Sequence, residues 1–172
     1  MTGPATYTPP ITHELTVDEE LAQSTFEALN QWRRINNNHH NEKRSSDRVA
    51  YEADLLIVFD RDAEEPGEPD QDRLVCFRTW GRDLSRGGVS FVVSRQLASN
   101  RPSLRGPQSL SAVKLIRVNT ELFVGLPRGD GGWMWLKGSV RRVRQVNEMM
   151  FEAGIMFTGK LDRPPGVNDG SA

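Results

Sequence analysis

Two short patterns in this chain hold residue types that can bind an anion. The first is Arg44-Ser45-Ser46-Asp47-Arg48, two arginines four apart. A guanidinium is planar, always charged and donates hydrogen bonds in pairs, so it suits phosphate oxygens and guanine edges. The pattern is weak alone. With 18 arginines in 172 residues, chance gives about two such pairs, and the chain has four: Arg44/Arg48, Arg78/Arg82, Arg82/Arg86 and Arg101/Arg105. The second pattern is Asp83-Leu84-Ser85-Arg86-Gly87-Gly88, an Asp-x-Ser-x-x-Gly. It is rarer, with about 0.07 matches expected by chance. The same residue types also build a strand-ending turn, in which Asp and Ser bond local backbone and Gly takes a positive φ.

Other chemistries have less support. Cys76 sits in an apolar run and reads as core. His13, His39 and His40 all lie in the N-terminal quarter, and there is no Gly-x-Ser-x-Gly elbow. His39 and His40 are adjacent, which points their side chains apart, and no second cysteine can join them at a metal. The acidic stretch 60–72 lacks the register of a calcium loop and reads as a solvated loop. Arg128-Gly129-Asp130 reads only as part of a turn. No catalytic residues, no metal site and no cofactor are expected, so the chain is not read as an enzyme.

The elements that must position the two patterns are mostly strands. Residues 1–15, with Pro4, Pro9 and Pro10, read as a mobile arm. Thr16-x-x-Glu19 is a capping box opening a helix over 16–35, with Leu21, Ala28, Leu29, Trp32 and Ile35 at helical spacing. Residues 36–48 read as a polar loop carrying the arginine pair. Strands are predicted over 55–59, 74–80, 89–93, 113–118, 121–126, 133–143 and 149–157. A loop is predicted over 94–107, a hairpin turn over 127–132, and a disordered tail over 161–172. Short strands separated by turn signals, with no helices between them, predict a mainly β protein: an antiparallel barrel over 36–160, with the helix outside it.

Composition narrows the class. One cysteine excludes an internal disulfide and favours a reducing compartment. The first residues lack a basic-then-apolar leader, and the longest strongly apolar run, Leu55 to Phe59, is far short of a membrane span. The expectation is a cytoplasmic protein with no membrane insertion. The net charge of −1 conceals an uneven distribution. Residues 73–144 carry fourteen bases and three acids, whereas residues 60–72 carry seven acids and one base. The basic segment predicts an anionic partner.

Together, the two patterns resemble the signature of the PilZ domain family, bacterial receptors for cyclic di-GMP. That signature is Arg-x-x-x-Arg in a loop before the first strand, then Asp/Asn-x-Ser-x-x-Gly after the second. Residues 122–127, the turn at Gly129, Gly138-Ser139-Val140-Arg141 and Ala153-Gly154-Ile155-Met156-Phe157 resemble the family's closing strands, so the likeness covers about 42–159. Two departures stand out. Lys43 occupies a place where the family often has a further Arg, which keeps charge and loses planarity. The interval from Arg48 to Asp83 is long, and the acidic stretch 60–72 absorbs the excess as an enlarged hairpin loop.

The resemblance implies a PilZ-type β-barrel that binds cyclic di-GMP through Arg44, Arg48, Asp83, Ser85 and Gly88. Lys43 and Arg86 are added from position and charge. The arginines would hold phosphates and a guanine O6/N7 edge, Asp83 and Ser85 the guanine's Watson–Crick edge, and Gly88 would let backbone approach the ligand. The expectation is that ligand orders loop 36–48 onto the barrel, moves helix 16–35 and so signals to a protein partner in trans. The alternative is a degenerate barrel that binds a protein without nucleotide. A nucleic-acid track along the basic segment is disfavoured, and would need Trp133 and Trp135 exposed among the cations.

Overall fold

Leu55-Leu56-Ile57-Val58-Phe59 is apolar at every position because both of its faces are covered. Leu55, Ile57 and Phe59 point into one core cluster, and Leu56 and Val58 into another. All five are buried, within β3 (Asp54–Asp60). The protein is described by a computed structural model covering residues 12–15, 24, 27–29, 31, 48–60, 74–99 and 109–166.

Six strands close the barrel. β3 pairs β4 (Leu74–Ser85), which pairs β5 (Gly88–Ser94), and β5 pairs β10 (Met150–Leu161). β10 pairs β9 (Trp133–Gln145), which pairs β8 (Glu121–Pro127), and β8 returns to β3. Every pairing in this ring is antiparallel, so the fold is mainly β and built on a closed antiparallel β-barrel. Closure bends strands, and β10 takes that bend at two register shifts, Gly154/Ile155 and Phe157/Gly159. Inward positions of all six strands fill the barrel, with Phe77 at its centre. Its ring stacks on Phe59 at 5.7 Å and meets Phe91 edge-on at 6.3 Å.

A second cluster lies outside the ring. Leu56, Val58, Leu74, Cys76 and Trp135 are buried there, with Trp133 partly buried beside them. Trp135 lies across Gly125, where an added Cβ would sit 3.0 Å from the indole.

Four short strands extend the sheet. β1 (Thr12–Leu15) runs parallel to β4 and antiparallel to β6 (Gln96–Ser99), and β6 pairs β7 (Ser109–Ser111). β2 (Val49–Ala50) pairs the far half of β4. The N-terminal segment expected as an arm therefore contributes a strand at its end, and the loop expected over 94–107 contains one. Both are four-residue strands held by main-chain pairing on two sides, too short to show an apolar period, which is why neither was visible in the sequence.

Other expectations met mixed outcomes. The strand predicted over 113–118 is instead a single helical turn, α1 (Ala112–Leu115). Ala112 and Ile116 are buried four residues apart, and the Ile116 N–H donates to the Ala112 carbonyl at 2.8 Å. That spacing belongs to one helical turn, and the β-branched residues around it disguised it. Asn119, at φ 72°, turns the chain into β8. The hairpin at 127–132 forms as expected, with Gly131 at φ 82°. Asp60 pairs with Leu74, so the acidic stretch spans the β3–β4 connection, though residues 61–73 lie outside the described ones.

Of the expected helix 16–35, residues 24, 27–29 and 31 are described and helical. Leu29 is fully buried with Val92 and Met150, against Trp80 and Val146. The helical segment thus packs on the outer face of its own barrel. Of the expected tail 161–172, Leu161 ends β10, residues 162–166 continue as bends and a turn, and Pro165 is buried. Residues 167–172 lie outside the described ones. No helix among the described residues is long and apolar enough to cross a membrane.

Candidate functional site

β4 does not end at Trp80, as the sequence predicted, but continues to Ser85. Gly81 permits this. An added Cβ there would lie 2.9 Å from the Tyr51 carbonyl oxygen and 2.8 Å from its ring. The strand then bulges between Gly81 and Asp83, with Arg82 as the extra residue. Beyond the bulge, Leu84 packs against the barrel core, so Asp83 and Ser85 on either side of it face outward.

The Asp83 carboxylate is half-buried and accepts a hydrogen bond from the Ser90 hydroxyl at 3.2 Å. Arg82 Nη1 lies 3.8 Å from the same oxygen. Ser85 accepts from the Gly87 N–H at 3.3 Å and donates to the Gly88 carbonyl at 3.4 Å, closing its own turn. Arg86 is exposed at the tip of that turn.

Gly88 does not take a positive φ, so the turn account of the motif holds for Ser85 and fails for Gly88. Its requirement is steric. A Cβ would stand 2.1 Å from the Ile155 carbonyl oxygen of β10. Glycine lets two strands meet there.

β2 supplies the other side. Val49 is the partner of Leu84, and Ala50 of Asp83. Arg48, exposed, immediately precedes Val49 and therefore lies at the Ser85 end of β4. Lys43 and Arg44 lie outside the described residues. Beside this edge opens an apolar groove of about 580 Å³. Val49, Leu84, Leu126, Met134, Leu136 and Phe157 line it, with Ser85, Arg86 and Gly159. Among the residues expected from the sequence, the fold therefore gathers Arg48, Asp83, Ser85, Arg86 and Gly88 at one end of β4 and β5. Chemically, the cluster offers cations for an anion, a carboxylate and hydroxyls for a hydrogen-bonding edge, and an apolar wall.

A cluster the sequence did not announce lies on the same outer face. Glu152 is fully buried on β10. Arg82 Nη1 donates to its Oε1 at 2.9 Å, Arg144 Nη2 donates to Oε2, and Arg142 Nη2 lies 3.6 Å from Oε1. Burial pushes the Glu152 pKa up. The Arg82, Arg144 and Arg142 guanidiniums outweigh it and hold the carboxyl below its ordinary range. A lone acid between inward-facing Phe151 and Ala153 was the available signal, because alternation sends it to the outer face. Its partners were not legible, since they come from other strands.

Burial pushes the Cys76 thiol up to about 12, against a smaller opposing pull from Arg78. It is a core residue with no nucleophilic thiolate at neutral pH. Among the described residues, no three His, Cys, Asp or Glu side chains group so as to hold a metal ion.

Neither a family model nor a curated protein matches this chain. Among solved structures, it is similar to the Bacillus subtilis inhibitor of motility, MotI/DgrA, at 14% identity and a TM-score of 0.41. The match covers 70% of this chain and 44% of that one. A likeness of this size carries no functional argument.

Proposed function

We propose that the chain is a cyclic di-GMP receptor of the PilZ type, acting as a cytoplasmic adaptor without catalytic activity or cofactor. The observation that carries this reading is the β2–β4 pairing, with Val49 across from Leu84 and Ala50 across from Asp83. Through it, the arginine that ends Arg44-x-x-x-Arg48 meets the strand bearing Asp83 and Ser85. One residue of the first pattern, Arg48, and two of the second, Asp83 and Ser85, thus lie toward the same end of β4. In this reading Arg44 and Arg48, with Lys43 and Arg86, take phosphates and a guanine O6/N7 edge. Asp83 accepts from a guanine's Watson–Crick N–H groups, and Ser85 exchanges its turn bonds for the base. Nucleotide then holds the arginine segment against the barrel, and the changed surface is read by a protein partner.

A nucleotide panel tests this. Cyclic di-GMP at 100 times its dissociation constant adds about 2.7 kcal/mol, which in a domain of this size raises Tm by about 5–10 °C. GMP and cyclic di-AMP at equal concentration should give no comparable shift. Equal shifts from all three would point to a generic anion effect.

The second reading is a nucleotide-free interaction barrel. Two observations favour it: Ser85 closes its own turn, and Gly88 is needed by the β5–β10 contact. Both motif residues would persist without a ligand. Absence of any nucleotide-dependent shift would select it.

A further inference from the structure

The residue between the nucleotide motif and the barrel's outer face is Arg82, and its guanidinium has partners on three sides. Nη1 lies 2.9 Å from Glu152 Oε1 on β10 and 3.8 Å from Asp83 Oδ2 on its own strand. Nη2 donates to the main-chain carbonyl of Leu29, in the helical segment. Arg82 is 5% exposed, Glu152 0% and Leu29 0%, so these contacts are made away from water. Alternation from Cys76 and Trp80 sends Arg82 to the outer face, and the bulge brings Asp83 onto that face beside it.

We propose that Arg82 is a positioning residue that couples occupancy of the Asp83 edge to the placement of the N-terminal helical segment. This rests on the nucleotide reading above and names how that site is heard elsewhere. In the structure described, one guanidinium is shared among Asp83, Glu152 and the Leu29 carbonyl. A base that donates to the Asp83 carboxylate weakens its pull on Arg82. The guanidinium then shifts toward Glu152, and the bond to Leu29 changes with it. Arg144 and Arg142 compete for the same Glu152 carboxylate, so small changes in charge at Asp83 redistribute the set. Among the described residues, Leu29 packs on Val92 and Met150 with Trp80 and Val146 beside them, so its carbonyl bond to Arg82 is made at the contact that seats the segment.

The test is amide hydrogen exchange at residues 27–31, with and without saturating cyclic di-GMP. Three proteins are compared: the full wild-type chain, Arg82→Lys and Glu152→Gln, each saturated at its own affinity. Arg82→Lys keeps the buried charge and loses the fork that serves two partners at once. Glu152→Gln keeps every residue of the nucleotide motif and removes the charge on the other side of Arg82. The expected result is a ligand-dependent change at 27–31 in the wild type, faster exchange there in ligand-free Arg82→Lys, and loss of the ligand-dependent change in both variants. A wild type that binds nucleotide with no change at 27–31 overturns the coupling and leaves the receptor reading standing. A ligand-dependent change fully retained in Arg82→Lys also overturns it, because the signal would then travel by another route. Absence of calorimetric binding to the wild type sinks the receptor reading itself, and the coupling falls with it.

Discussion

Gly88 shows how one residue can satisfy a motif and a fold together. Its missing side chain makes room for the Ile155 carbonyl, which a Cβ would approach to 2.1 Å. Backbone on both sides cannot give way cheaply. Gly88→Ala is therefore expected to destabilise the protein by about 2 kcal/mol or more, read as a lower midpoint in urea. A midpoint equal to wild type would mean β5 and β10 do not meet this closely. Cys76 is the opposite case, a reactive residue type made inert by its place. With its pKa pushed to about 12 by burial, thiol reagents at pH 8 should modify it only after unfolding. Labelling of the folded protein at the rate of a free thiol would show the outer cluster to be open.

The element scale is where charges become structure. β4, β9 and β10 are tied on their outer face by Arg82, Arg144 and Arg142 around Glu152. Because this carboxyl is held below its ordinary range in the fold, it contributes stability above its unfolded pKa of roughly 4.3. That stability is lost as pH falls through the lower folded value. Wild type should therefore lose stability below about pH 4.3 more steeply than Glu152→Gln, whose curve is flatter in that window. At neutral pH the same substitution should cost about 3–5 kcal/mol. Parallel curves for the two proteins would remove Glu152 as the acid-sensitive group.

Legibility in the sequence divides along the same line. Elements with apolar faces were readable: Leu55 to Phe59 is β3, and the closing strands lie where alternation put them. The four-residue strands β1 and β6, paired on both sides by main-chain bonds, were not, since such bonds leave no mark on side-chain pattern. The length of β4 was misjudged because Gly81 and the bulge at Arg82 look like a strand's end and act as its bend. The motif residues Asp83, Ser85 and Gly88 were legible by spacing. Arg82 and Glu152 were not, because their partners are brought together only by closure of the ring.

At the scale of the whole molecule, the basic segment 73–144 changes meaning once folded. Arg78 lies 3.9 Å from Asp54, Arg128 2.8 Å from Asp130 and Lys137 3.2 Å from Glu121, while Arg82, Arg142 and Arg144 surround Glu152. Trp135 is buried and Trp133 partly so. Six of the segment's cations thus face the protein's own acids, three of them around buried Glu152, and its two tryptophans are not an open stacking platform. One edge sets cations beside hydrogen-bonding groups: Arg48, Asp83, Ser85 and Arg86 gather there next to an apolar groove. The most direct test of that edge is calorimetric titration of the full chain with cyclic di-GMP, run beside Arg48→Ala and Asp83→Ala at matched salt. The account predicts saturable binding by the wild type, lost or weakened at least about tenfold, some 1.4 kcal/mol, in each variant. No heat from the wild type at high micromolar nucleotide, or binding that both substitutions leave unchanged, would contradict it.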